Sequence, residues 1–278
     1  MFFFSSPCLL FLALVTLKSY TLTMKKAYVS IDAHRALTSY LSRLGCPTET
    51  VNHCGTTYYP VSTHPDIFMC RLGVWERPEL FRGNPKKLNP SYPGNIIYNA
   101  VCTGRYFIHN LKHTDESLLS AAAEWKAHLG GNAGSLTYVD VPQGYSRCCC
   151  LPVDDTSFIT SDAGIEKKLS AAGADVLLIQ TGHIALPGFD YGFIGGCAGH
   201  ILSPPHCHEK TAHGIDSDIP CDAQPSAASL RPTILFNGDL SSHPDYMKIA
   251  DFIHLRGIDT AYFKDYPLTD IGSILTTW

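Results

Sequence analysis

Residues Phe158 to Ile179 read FITSDAGIEKKLSAAGADVLLI, and this stretch decides the fold class. Phe158–Thr160 is a short strand-forming run. Asp162 follows, with a carboxylate suited to capping a helix over Ala163–Ala172. After Gly173, Ala174–Ile179 is almost continuously apolar, the pattern of a strand buried on both faces. Strand, helix and strand within so few residues make an α/β unit.

The same alternation extends both ways. Upstream, Lys26–Ile31 is predicted as a first strand and Arg35–Leu44 as an amphipathic helix. Ile67–Leu72, Ile96–Val101 and the short piece Phe107–Ile108 are predicted strands. Asp115–His128 is predicted as a helix capped by Thr114, with Leu118, Leu119, Ala122 and Trp125 on one face. Leu136–Val139 and Cys148–Leu151 read as strands on either side of the turn Gln143-Gly144-Tyr145. Downstream, Phe193–Ile194 runs into the glycine-rich turn Gly195–Gly199. Thr233–Phe236 and Thr260–Phe263 are predicted strands, separated by a helix over Tyr246–Leu255.

Composition narrows the function classes. Among 278 residues 45% are hydrophobic and 17% charged, a globular balance for a single domain spanning residues 24–278. The net charge of −4, with Lys and Arg scattered, excludes the basic stripe of a nucleic-acid-binding protein. The apolar run Pro7–Leu17 is too short for a membrane span. Residues 1–23 read as a mis-assigned start ahead of Met24 or, alternatively, as a signal peptide. The 11 cysteines include the consecutive Cys148, Cys149 and Cys150, which cannot form a regular disulfide framework. Free thiols in a cytoplasmic protein are the expectation, with secretion the alternative if residues 1–23 are a signal. Residues 203–232 are rich in proline and lack any period, so they read as an inserted loop. Its His206, Cys207, His208, His213 and Cys221 match no zinc spacing, and no metal or other cofactor is expected.

One tripeptide, His-Pro-Asp, occurs twice in matching context, at His64–Asp66 and His243–Asp245, which hints at internal symmetry. Together with VPQGYSRC (141–148), ITSDAGI (159–165), DVLLI (175–179), GFDYGFIGGCAG (188–199) and PLTDIGS (267–273), these segments resemble an uncharacterised bacterial family with the pentein, or guanidino-group-modifying-enzyme, fold. The resemblance covers Met24 to the C-terminus, apart from the inserted loop. It implies an α/β propeller of five ββαβ-type units around a pseudo-fivefold axis, with a polar central site. Catalytic penteins act on guanidino compounds, and other members only bind.

Guanidino chemistry requires carboxylates that hold a planar cation, a thiolate that attacks its carbon, and a histidine that moves protons. The resemblance implies a nucleophilic cysteine close to the C-terminus. This chain has Asp270-Ile271-Gly272-Ser273 there instead. Cys148 is the substitute candidate, with Arg147 favouring its thiolate; the other reading is that it fills space in a buried strand. His64 and His243 are candidate bases, and Asp66, Asp245, Asp270 and Asp162 candidate cation clamps. All suit helix starts equally well. Gln143 and His109 are further candidates to line the site. The Gly195–Gly199 turn lacks the residues of a phosphate loop and reads as a tight turn beside the site. Two functions follow as expectations: an enzyme acting on a small guanidino or amidino cation, or a non-catalytic binding member of the same fold.

Overall fold

In the computed structural model, residues 24–53, 55–130, 134–204 and 230–278 are described. The signal-like segment 1–23 and most of the predicted insertion, with its five candidate metal ligands, lie outside the described residues.

The chain is a mixed α/β protein in which one strand pattern recurs. β1 (Lys26–Ser30) leads into α1 (Arg35–Arg43) and returns as β2 (Thr48–Val51), parallel to β1. Its antiparallel partner is the last strand, β14 (Leu275–Thr277). A helical turn α2 (Pro65–Phe68) precedes β3 (Met69–Leu72), which pairs antiparallel with β4 (Glu79–Arg82). β5 (Val101–Cys102) and β6 (Tyr106–His109) form a hairpin; α3 (Glu116–His128) follows, and β7 (Thr137–Asp140) runs parallel to β6. The turn α4 (Ser146–Cys149) opens the next copy. It comprises β8 (Cys150–Pro152), antiparallel β9 (Ser157–Thr160), α5 (Ala163–Ala171) and β10 (Asp175–Leu178), parallel to β9. The last copy comprises β11 (Ala198–Ser203), antiparallel β12 (Arg231–Phe236), α6 (Tyr246–His254) and parallel β13 (Asp259–Ala261).

These strands make four sheets among the described residues. Three have three strands. The fourth has five, because β3 and β5 meet at the single pair Leu72–Cys102. Apolar side chains weld neighbouring copies together. Ile159 of β9, Phe236 of β12 and Ile249 of α6 share one cluster; Val29, Leu37, Leu235 and Ile274 share another. Each such side chain contributes about 1.5–3 kcal/mol when fully buried.

The α/β alternation matches the sequence reading, and Asp162 caps α5 through the N–H groups of Gly164 and Ile165. Four local readings differ. Ala174–Ile179 is not buried on both faces: β10 is the edge of its sheet, and Leu178 is 45% exposed. Asp115, not Thr114, caps α3, because the Thr114 hydroxyl is engaged by His109 and the Asn110 carbonyl. Ile96–Val101 is a tight irregular run and pairs only from Val101, since Asn99 turns inward to bond neighbouring segments. Cys148 sits in the helical turn α4 rather than on a strand.

Candidate functional site

Each strand copy begins with a short lead-in, and five of these lead-ins meet. They carry Asp66 before β3, Asn99 before β5, Cys148 before β8, Gly195-Gly196 before β11 and Ser273 before β14. Hydrogen bonds pass from one to the next and return to the start. Asn99 Nδ2 donates to the Asp66 carbonyl at 3.3 Å and to Cys148 Sγ at 3.4 Å. Asn99 Oδ1 accepts from the N–H of Arg147 at 2.9 Å. The Gly196 N–H donates to the Cys148 carbonyl at 3.0 Å, and the Ser273 N–H to the Gly196 carbonyl at 2.7 Å. The Ser273 hydroxyl lies 2.6 Å from Asp66 Oδ2, and the Asp66 N–H donates to the Gly272 carbonyl at 3.2 Å.

Side chains fill the centre of this ring. The Cys148 thiol donates to Asp66 Oδ2 at 3.1 Å. His64 Nδ1 stands 3.9 Å from Asp270 Oδ1. One donor atom from each of His64, Cys148 and Asp270 lies within 4.8 Å of the other two. Asp270 is held from both sides: Gly272 N–H donates to Oδ1 at 2.9 Å and Phe193 N–H to Oδ2 at 3.0 Å. Two buried atoms, His64 Nδ1 and Asp66 Oδ1, have no hydrogen-bond partner among the described residues.

The glycines of the sequence motif acquire a reason here. A Cβ on Gly196 would strike the Asp270 carboxylate, and one on Gly195 would strike the Arg147 carbonyl. Gly272 combines a φ of +70° with a position where an added Cβ would strike the Cβ and ring of His64, so no larger residue fits. Ser273 adopts a φ of 73°, a strained conformation for a residue with a Cβ, and its hydroxyl meets Asp66. The chain behind His64 is pinned by the Thr63 hydroxyl, which donates to Asp32 at 2.9 Å and accepts from Ser30 at 2.8 Å.

Burial dominates the electrostatics. It pushes the Asp66 carboxyl above its ordinary range, the Asp270 carboxyl up to about 6 and the Cys148 thiol well up; Asp66 and Asp270 push the thiol further. Burial lowers His64, against the pull of Asp66 and Asp32. The thiol is therefore protonated and the imidazole neutral at neutral pH. Arg147 does not create the thiolate that its neighbourhood in sequence led one to expect. Its guanidinium turns away and donates to the carbonyls of Gly195 and Ala198.

The other predicted residues fall elsewhere. His243 and Asp245 form a separate arrangement. Asp245 accepts from the Gln180 N–H and pairs with Lys248 at 2.7 Å, and His243 Nδ1 accepts from the Asp245 N–H while its ring meets His183. Asp162 is a helix cap, and Gln143 bonds the Tyr145 N–H and reaches Asp162 at 3.5 Å. His109 is a fully buried strut between Thr114 and the Gly144 carbonyl, and burial lowers it to about 4. Asn99 and the role of the Ser273 hydroxyl went unforeseen; the only sequence signal is position, two residues ahead of a strand. A surface hollow of about 310 Å³ beside Lys112–Glu116 shares no residue with the cluster.

The chain belongs to a family of unknown function (DUF6873), whose profile matches residues 79–205 and 227–275, more than half of the chain. No curated protein and no solved structure matches it. The matched span holds Asn99, Cys148, Gly195-Gly196, Asp270 and Ser273, whereas His64 and Asp66 precede it. The break at 206–226 falls within the segment read as an insertion. No helix of the described residues is long and apolar enough to cross a membrane.

Proposed function

We propose that this chain is a pentein-like α/β protein whose central cluster receives a small guanidino or amidino cation, and that Cys148 attacks the carbon of that cation. The observation that carries the reading is the meeting of thiol, imidazole and two carboxylates from three separate segments, with no lysine or arginine side chain bonded to either carboxylate among the described residues. Four strand–strand–helix–strand copies, the first completed by the C-terminal strand, together with the shorter β3–β4 hairpin, support the five-unit arrangement.

Two buried carboxylates without a counter-ion favour a cation strongly, and a guanidinium can take paired hydrogen bonds from them. Its charge lowers the thiol pKa, so that the Cys148 proton passes to Asp66 or His64 and the sulfur attacks. The tetrahedral adduct expels ammonia, with His64 supplying the proton, and leaves a thiouronium on Cys148. Water attacks this carbon, and collapse returns the thiol and releases a urea-type product. The net change is guanidinium plus water to ureido compound plus ammonium. Asn99 and Ser273 position the cysteine and Asp66. Seven buried, unpaired cysteines among the described residues favour a reducing, cytoplasmic setting.

A second reading, a binding protein without turnover, is favoured by closure of the site. His64, Asp66, Cys148 and Asp270 are each 1–3% exposed, and three of their polar contacts are to one another or to Ser273. The experiment that separates the two incubates the full chain with guanidino amines and follows ammonium release. Cys148→Ser is expected to retain binding and lose turnover by about 10³-fold or more. Turnover that survives Cys148→Ser removes the enzymatic reading.

A further inference from the structure

We infer that His64 Nδ1, Cys148 Sγ and Asp270 form a site for a thiophilic divalent cation, of which Zn²⁺ is the natural example. This stands on donor geometry and goes beyond the guanidino reading, because it holds whether or not Cys148 turns anything over.

Donor type comes first. Imidazole nitrogen, thiolate sulfur and carboxylate oxygen are the three ligand classes that zinc accepts, and three protein donors is the count of an open site with a fourth position free for water or a small ligand. Among the described residues this is the one group of three or more His, Cys, Asp or Glu side chains whose donor atoms converge.

Spacing comes second. Tetrahedral zinc holds its donors about 3.3–3.6 Å apart, given bond lengths of about 2.0–2.3 Å. Here the three atoms lie within 4.8 Å of each other, and the His64–Asp270 separation is 3.9 Å. Contraction by roughly an ångström would close the set around an ion. His64 Nδ1 is the decisive atom. It is buried, faces Asp270 from just beyond hydrogen-bond distance and has no partner among the described residues. Leaving a buried imidazole nitrogen unpaired costs about 1–3 kcal/mol, and a metal ion at that position would remove the cost.

Support around the donors comes third. Backbone N–H groups from Gly272 and Phe193 fix the orientation of Asp270, and the amide of Asn99 fixes Cys148 from behind. Such outer contacts are what orient ligands in established metal sites. The charge balance agrees: the guanidinium of Arg147 is bound to the backbone carbonyls of Gly195 and Ala198, so the cluster's donors lack a bonded lysine or arginine among the described residues. Binding would convert the Cys148 thiol to thiolate, with its proton released to solvent. An ion held by Cys148 also occupies the sulfur that guanidino chemistry needs, so zinc would inhibit turnover rather than assist it.

The test is a titration of the metal-stripped full chain with Co²⁺, followed by Zn²⁺ competition. Cobalt bound by a thiolate gives a sulfur-to-metal charge-transfer band in the near ultraviolet. The expected result is one equivalent of Co²⁺ with that band, displaced by Zn²⁺. Cys148→Ser should lose the band, and His64→Ala should weaken binding at least tenfold. His243→Ala, outside the cluster, should change neither. Circular dichroism of each variant establishes that it is folded; should Cys148→Ser not fold, Asp270→Asn replaces it, with weakened binding expected. No stoichiometric uptake, a band unchanged in Cys148→Ser, or affinity unchanged in His64→Ala overturns the proposal. Because no turnover is read, failure here leaves the guanidino reading untouched, and loss of that reading leaves this one standing.

Discussion

His64-Pro65-Asp66 and His243-Pro244-Asp245 are the same three residues in the same order, and the fold treats them oppositely. The first stands at the meeting point of five segments. Its aspartate is 1% exposed, receives a thiol and a hydroxyl, and is pushed up by burial. The second opens α6, and its aspartate is covered almost as fully, at 3% exposed, but its partners differ. Its aspartate bonds Lys248, whose side chain is 66% exposed, and the Gln180 N–H, and these bonds hold it below the usual carboxylate range. In both copies the proline begins a helical or near-helical turn, so the backbone chemistry is shared. The difference lies in which cation is available. Asp245 carries its own lysine three residues on; Asp66 has no bonded cation among the described residues, which is the basis of the proposed cation site.

The comparison is sharpened most by a glycine. Gly272→Ala is expected to destabilise the fold by about 3 kcal/mol or more, since a positive φ and a collision with His64 coincide. Gly257→Ala, beyond the C-terminal end of α6, has φ +69° but open space around it, and should cost only about 1 kcal/mol. Equal losses in urea denaturation would mean that the His64 turn is no more tightly packed than the surface.

The pH dependence comes next in size. The Asp270 carboxyl is raised to about 6, so the folded chain binds its proton more tightly than the unfolded chain does. Its stabilising contribution is full below the ordinary carboxylate value near 4 and is lost as pH rises through about 6, a swing of up to about 3 kcal/mol. Asp270→Asn should remove that swing from the difference between variant and parent curves. His109, lowered to about 4, runs the other way and costs stability as pH falls below its ordinary value, which is why the difference curve is the informative one. A difference curve flat between pH 4 and 6 contradicts the burial of Asp270.

Asp245→Asn is the smallest expected effect. A carboxylate paired with an exposed lysine is worth about 0.5 kcal/mol, present above the ordinary carboxylate range and lost as pH falls. A loss above about 2 kcal/mol would place Asp245 in the same class as the central group.

Much of this organisation was legible in the sequence. Phe158–Ile179 gave the α/β unit because its cap, period and glycine all act locally. His64, Asp66, Cys148 and Asp270 stood out by residue type, and they meet. The sequence could not separate them from His243 and Asp245, because desolvation and pairing depend on contacts 65 to 207 residues apart in the chain. Asn99 was hidden inside an apolar run that resembled a strand, and Ser273 was read as a missing nucleophile rather than as a donor to Asp66. Leu178 misled in the same way: an apolar run records what a strand tolerates, whereas sheet order decides whether it is covered.

The most direct measurement is the affinity of the full chain for guanidino amines, by calorimetry, in Asp66→Ala and Asp245→Ala beside the parent. Asp66→Ala is expected to weaken binding at least a hundredfold, the scale of a lost charge-assisted pair of about 3 kcal/mol, while Asp245→Ala stays within about twofold. Equal effects of the two substitutions, or tight binding that survives Asp66→Ala, would contradict a cation site at the meeting of the five segments.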